Sequence, residues 1–261
     1  MPIVPQPLPR ELAPGLHWLG DCQLVEHEGE ILHSYNSLYL VCGEESSLLV
    51  EAGFPEDHRV VVNQLETLLA DAPPLRHIWL THEETPHAGN IGRLLEHFPA
   101  ATARGDIHDY HLYFPELEDR FEPLETGDSI DLGNREFVAV QAEIRDLITT
   151  QWGFDSGARA LFPGDGFAYA HHHSADQCGH VVEEVEQLDL AAQSALFAHY
   201  ALHWMRFVDM RPYLERLERL IDEREVAIAC PTHGLPITDP RAVLPKIGAG
   251  LLSLQASATS S

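Results

Sequence analysis

Apolar and polar residues alternate with two different periods along this chain. Residues 16–21, 36–42, 46–51 and 76–81 alternate or run apolar with Val, Tyr, Leu and Ile, and these blocks predict strands. His58–Leu69 carries apolar positions at helical spacing, as does 90–97. Short strands are expected around 121–124, 129–132, 136–141, 149–153 and 159–163. Helices follow near 181–205 and 209–222, then a strand at 226–230 and a closing helix over 241–252. The pattern is two β-rich halves, each followed by helices, which predicts an α/β class with helices outside the sheets.

No Gly/Ser/Pro linker and no repeat period interrupts the 261 residues, so one domain over 1–261 is expected. Residues 1–13, with Pro2, Pro5, Pro7 and Pro9, read as an extended lead-in without the apolar stretch of a secretory signal. Residues 253–261 are small and polar and read as a frayed tail. No segment approaches a membrane span.

Charge narrows the partners. With 16 basic against 41 acidic residues the net charge is −25, which argues against nucleic acid and anionic membranes, since both require a basic surface. Lys246 is the sole lysine, and the acidity reads as a solubilising surface. Cys22, Cys42, Cys178 and Cys230 are widely scattered and never spaced Cys-x-x-Cys. Reduced thiols are expected, with Cys42 and Cys230 buried in strands, and a cytoplasmic compartment follows.

The candidate chemistry begins at Thr81-His82-Glu83-Glu84-Thr85-Pro86-His87-Ala88-Gly89-Asn90, directly after the apolar Ile78-Trp79-Leu80. Imidazoles and a carboxylate packed where a strand ends and a helix begins can converge on one ion, and such donors suit iron, manganese or zinc. Taken alone, the segment also reads as a polar loop whose histidines cap the helix. Two further strand ends weigh against that. Asp165 follows Leu161-Phe162-Pro163-Gly164, and His233 follows the apolar 226–229 within Cys230-Pro231-Thr232-His233-Gly234. Separate strand ends delivering His or Asp into Gly-containing loops are how metal sites sit at the rim of layered sheets.

With these motifs the chain resembles the metallo-β-lactamase fold. Glu84 in place of the usual second histidine is similar to the oxygen-binding di-iron branch, which includes the flavodiiron oxygen and nitric oxide reductases. Tyr35-Asn36-Ser37-Leu38-Tyr39-Leu40-Val41 resembles that branch's first core strand, and Leu49-Val50-Glu51-Ala52-Gly53 sits where the fold carries an acidic turn. The resemblance covers residues 14–245 and implies a four-layer αββα sandwich. It also implies two irons: His82 and Glu84 on the first, Asp165 bridging, His87 and His233 on the second. Two positions depart. The motif's aspartate is Pro86 here, which has no side-chain donor, and the later histidine falls by spacing on Asp146. Asp146 can still ligate, and it makes the first site harder and more anionic, favouring iron or manganese over zinc. The second site keeps two histidines and one carboxylate with open positions, or else is weakened to leave a single metal.

Other histidines compete for roles. His171, His172 and His173, with His180 nearby, are candidates to replace the donor missing at Pro86, although a solvated run is the favoured reading. His199 and His203 read as one helical face, favoured for packing over lining the cleft, and His108 and His111 as a loop wall. The resemblance implies binding or activation of dioxygen or nitric oxide. A zinc hydrolase of an ester, lactone, thioester or phosphodiester is the alternative, and a binding protein with a degenerate site the third reading. No flavin domain or phosphate-binding Gly-rich loop is expected in this chain, so electrons would come from a separate partner or from substrate. A homodimer is implied by the resemblance alone.

Overall fold

The computed structural model describes residues 3–27, 29–167 and 173–258. The elements of the first half are β1 (Arg10–Ala13), β2 (Leu16–Leu19), β3 (Cys22–His27), β4 (Glu30–Tyr35), β5 (Leu38–Cys42), β6 (Ser47–Val50), α1 (His58–Leu69), β7 (Leu75–Leu80), α2 (Thr85–Ala88), α3 (Ile91–His97) and β8 (Thr102–Gly105). Those of the second half are α4 (Tyr110–Tyr113), β9 (Ser129–Asp131), β10 (Glu136–Gln141), β11 (Gln151–Asp155), β12 (Ala160–Phe162), α5 (Leu190–Tyr200), α6 (Arg211–Glu223), β13 (Ile228–Ala229) and α7 (Pro240–Ala258). A 6-stranded sheet runs β1-β2-β5-β6-β7-β8, a 5-stranded sheet runs β13-β12-β11-β10-β9, and β3 and β4 form a separate hairpin.

Alternation along the strands explains the layering. Trp18, Tyr39, Val41, Leu48, Val50 and Trp79 share one core with Phe137, Trp152 and Leu161 of the second sheet. Their neighbours Leu19, Leu38, Leu40, Leu49, Ile78 and Leu80 share the other core with Val61 and Leu65 of α1 and Leu94 and Leu95 of α3. On the far side, Leu217, Ile221, Ile247 and Leu251 bring α6 and α7 into the first core. The order is helices, sheet, sheet, helices: an αββα sandwich.

Because β5 is buried on both faces, apolarity alone does not fix its register. Polar anchors do: Trp18 Nε1 donates to Ser37 Oγ at 2.9 Å and the Tyr39 hydroxyl donates to Pro231 O at 2.8 Å. A one-residue slip would orphan both buried groups, at about 1–3 kcal/mol each.

Several expectations are corrected. No strand forms at 121–124; Phe121 makes one isolated bridge to Ala103, and Pro123 has no N–H to continue a ladder. Residues 10–13 are not merely a lead-in but an edge strand paired with β2. Residues 253–258 continue α7, and 259–261 lie outside the described residues. The helix expected over 181–205 is broken: a short 3-10 turn covers Val182–Glu184, and α5 starts only where Asp189 accepts a hydrogen bond from the Ala192 amide at 3.0 Å. The β3–β4 hairpin and β8 were not foreseen, because Cys22–His27 and Glu30–Tyr35 mix polar and apolar residues and Thr102–Gly105 is short and polar. Among the described residues no helix is long and apolar enough to cross a membrane.

Candidate metal centre

Four strand ends build the site. The parallel pairs β6–β7 and β12–β13 place the ends of neighbouring strands side by side. After β7 come Thr81, His82 and Glu84, and α2 presents His87 in its single turn. After β12 the chain turns through Gly164, at φ +52, into Asp165; a Cβ there would stand 2.6 Å from Thr81 Oγ1, so glycine lets the two loops touch. After β13, the Thr232 amide donates to Gly164 O at 3.1 Å, and His233 pairs with Asn36 in an isolated bridge. The loops are thus tied to one another before any ligand is considered.

All the residues singled out as ligands come together. His87 Nε2 and His233 Nε2 stand 3.3 and 3.4 Å from the same oxygen, Asp165 Oδ1. His82 Nε2 lies 3.9 Å from Asp165 Oδ2 and 3.9 Å from Asp146 Oδ2. The donor atoms of His82, His87 and Asp165 lie within 4.8 Å of one another, and so do those of His82, Glu84 and Asp146. His82 and Asp165 therefore stand between two groups of donors. His82 Nε2 is buried without a hydrogen-bond partner, and His87 Nε2 and Asp165 Oδ1 are buried with only the long 3.3 and 3.4 Å contacts among His87, Asp165 and His233. Aggregated polar atoms left unpaired in a core are costly unless something positive lies between them. The set of three imidazoles and three carboxylates fits hard or borderline ions such as iron.

One residue of the site carried only a faint signal in the sequence. Glu51, at the end of β6, is fully buried and holds φ +67, a conformation rare outside glycine. Its carboxylate lies 3.0 Å from His87 Nδ1 and accepts from the hydroxyls of Thr81 at 2.6 Å and Thr232 at 3.0 Å. It orients His87 from behind, as the carboxylate behind a metal-binding histidine does. The acidic turn was visible in the sequence; the hydrogen bond to His87 was not.

The electrostatics describe a cluster that calls for a cation. Burial alone would push His87 down, but the flanking Glu51 and Asp165 carboxylates outweigh it and push the imidazole up to about 10. His82 is pushed down to about 3 by burial and by the neighbouring His87. Burial raises Asp165, yet His233, His87 and His82 together hold it well below the usual carboxylate range. Asp146 is pushed up to about 7, first by burial and then by the Glu84 and Asp165 carboxylates. A proton on His87 and one shared near Asp146 stand where a metal's charge would serve.

The remaining candidates fall elsewhere. Pro86 contributes its carbonyl, which accepts from Asn36 Nδ2 at 2.6 Å, and no side-chain donor. His171 and His172 lie outside the described residues. His173 is buried beside Cys22, His33 and Cys178 rather than with the cluster above. His180 bonds Val4 O at 2.7 Å and Glu184 at 3.0 Å. His199 and His203 were favoured as packing residues, but both are exposed, because α5 ends at Tyr200 and a 3-10 turn over His203–Phe207 rotates the second away. It is Phe197 whose ring approaches His233, at 5.4 Å.

Comparison with known proteins agrees with this fold. The profile of the metallo-beta-lactamase superfamily matches residues 33–233. The chain is 27% identical over 251 residues to the coenzyme F420H(2) oxidase of Methanothermobacter thermautotrophicus, covering 90% of this chain and 59% of that protein. It is 29% identical over 167 residues to the anaerobic nitric oxide reductase flavorubredoxin of Aliivibrio salmonicida, covering 61% of this chain and 32% of that one. The chain therefore spans less than two thirds of these relatives' length. Among solved structures, rubredoxin oxygen:oxidoreductase from Desulfovibrio gigas superposes with TM-score 0.68 at 14% identity, over 96% of this chain and 61% of the other. A fragment of a diflavin flavoprotein from Nostoc superposes with TM-score 0.70 at 15% identity, over 98% and 99%.

Proposed function

Since the chain belongs to the metallo-beta-lactamase superfamily, we propose that it is a non-haem di-iron protein that binds or activates dioxygen or nitric oxide. The observation that carries this is the carboxylate cluster at His82: Glu84 and Asp146 both bring an oxygen within 4.8 Å of its ring nitrogen. A zinc hydrolase of this size of site needs fewer anionic donors, and the added carboxylates favour a harder, more oxidisable ion. The relatives named as F420H(2) oxidase and nitric oxide reductase support the same reading.

His82, Glu84, Asp146 and Asp165 would hold one iron, and Asp165, His87 and His233 the other. Iron held there supplies a redox-active Lewis acid with open positions. The protein's own contribution is orientation and charge. Glu51 fixes the Nδ1 side of His87, so that Nε2 faces Asp165. Trp79 and Phe162 fill the core beneath, and Phe197 covers one face of His233. Glu84 is exposed and Asp146 and His233 are partly so, which leaves a proton able to be taken up or released at Asp146.

Electrons come, in this reading, from a separate partner protein. We read the protein as a cytoplasmic homodimer, the compartment resting on four scattered cysteines without Cys-x-x-Cys spacing. Metal analysis of anaerobically purified protein, with spectra before and after air, tests the proposal.

A further inference from the structure

Away from the centre just described, the β3–β4 hairpin and the segment before α5 bring together groups that are far apart in sequence. Cys22 Sγ lies 3.3 Å from His33 Nδ1, 3.4 Å from His173 Nε2 and 3.4 Å from Cys178 Sγ. Cys178 Sγ is in turn 3.3 Å from His33 Nδ1. The four donor atoms lie within 4.8 Å of one another. Zinc binds sulfur at about 2.3 Å and imidazole nitrogen at about 2.0–2.1 Å, so a tetrahedron of two of each has edges of about 3.3–3.8 Å. Four of the six edges, at 3.3–3.4 Å, fall at the short end of that range. A sulfur–sulfur distance of 3.4 Å is far from the roughly 2.05 Å of a disulfide.

We propose that Cys22, His33, His173 and Cys178 form a second, structural metal site that takes one zinc ion in tetrahedral Cys2His2 coordination. The donor set identifies the ion: thiolate with imidazole in a tetrahedron selects zinc, whereas the carboxylate-rich centre selects a harder metal. On binding, both thiols lose their protons to solvent and the two negative sulfurs neutralise Zn2+, which leaves a site of no net charge. Every position of the tetrahedron is filled by protein, so no coordination site remains for a substrate.

The surrounding backbone is built to hold this geometry. His33 and His173 exchange backbone hydrogen bonds of 3.0 Å each way, which sets both histidines side by side. The His173 ring stacks on Tyr35 at 5.3 Å with the planes 10° apart. Cys178 O accepts from the Gln6 amide at 2.8 Å, and at Gly179, where φ is +77, a Cβ would stand 2.0 Å from Gln6 O. The position of the ion explains its use. The hairpin leads through Tyr35 into Asn36, which bridges His233, and His173 lies a few residues after Asp165 in the chain. Zinc would tie the hairpin that leads to Asn36, whose backbone bridges His233, to the segment that follows Asp165, without sharing a ligand with the other centre.

The test uses the full chain, reduced and stripped of metal, with Co2+ and Zn2+ as probes. Expected are a thiolate-to-cobalt charge-transfer band, which a histidine–carboxylate centre cannot give, and its loss in Cys22→Ser and Cys178→Ser. On the wild type alone, Zn2+ should protect Cys22 and Cys178 from alkylation, read by peptide mass spectrometry, and leave Cys42 reactivity unchanged. The proposal is overturned if cobalt binds without a thiolate band, if the band survives both substitutions, if zinc protects neither cysteine, or if Cys22 and Cys178 are isolated as a disulfide. Because iron at His82 and Asp165 is measured separately, either reading can fail alone.

Discussion

Glu51 and His87 face each other across 3.0 Å, carboxylate oxygen to Nδ1, with both side chains fully buried. The contact fixes the imidazole so that its other nitrogen looks at Asp165. It also places a negative charge behind His87, where it would strengthen the donor of this proposed ligand without occupying a coordination position.

Glu51→Gln tests this directly. The amide keeps the shape and removes the charge, and metal affinity should fall about 10–100-fold while the fold is retained. Competition titration against a chelator of known affinity measures it. Unchanged affinity would show that Glu51 merely fills the turn.

Asp146 gives a pH dependence. Its carboxyl titrates at about 7 in the metal-free fold, because of burial and then the Glu84 and Asp165 charges, against roughly 3.9 in an unfolded chain. A raised folded pKa means its contribution to stability is full below the unfolded value and is lost as pH rises through about 7. Thermal unfolding of chelated protein should therefore weaken between about pH 4 and 7 more steeply in wild type than in Asp146→Asn. Metal affinity runs the other way and rises through the same window, since proton and metal compete for one carboxylate. Identical pH profiles for the two proteins would remove Asp146 from the site.

Pro86→Asp should tighten the weaker metal position by restoring a carboxylate at the start of α2, read as higher metal content after dialysis. If content does not change, the second position already has its donors.

Gly166→Ala should destabilise the fold, because a Cβ there would stand 2.0 Å from Trp152 Cζ2, with ring and backbone on either side. Overpacking of this kind costs about 1–3 kcal/mol or more. A melting temperature equal to wild type would mean that Trp152 has room to move.

The sequence revealed those parts of the molecule whose physics is local. The run from His82 to His87, and the Asp165 and His233 turns, each follow a buried strand, and all of them reach the site. Glu51 was recognisable as an acidic turn, but its bond to His87 depends on β6 and β7 lying side by side. The Cys22, His33, His173 and Cys178 cluster has no signature spacing, because it is assembled by a hairpin and a distant segment; their sequence separation made them look like scattered thiols and histidines. Hairpin β3–β4 escaped notice for a related reason: its apolar Leu24 and Ile31 are exposed instead of marking a core. The failed strand at 121–124 is the converse, an apolar pair interrupted by Pro123.

The most direct test of the central claim is metal analysis of wild-type and Asp165→Ala protein, both purified without oxygen and scanned before and after air. The account predicts about two irons per wild-type chain, an optical change on exposure to oxygen, and loss of most iron in the variant, whose bridging carboxylate is gone. Zinc as the metal that Asp165→Ala removes, with no iron and no response to air, would contradict it and make this centre a hydrolase site.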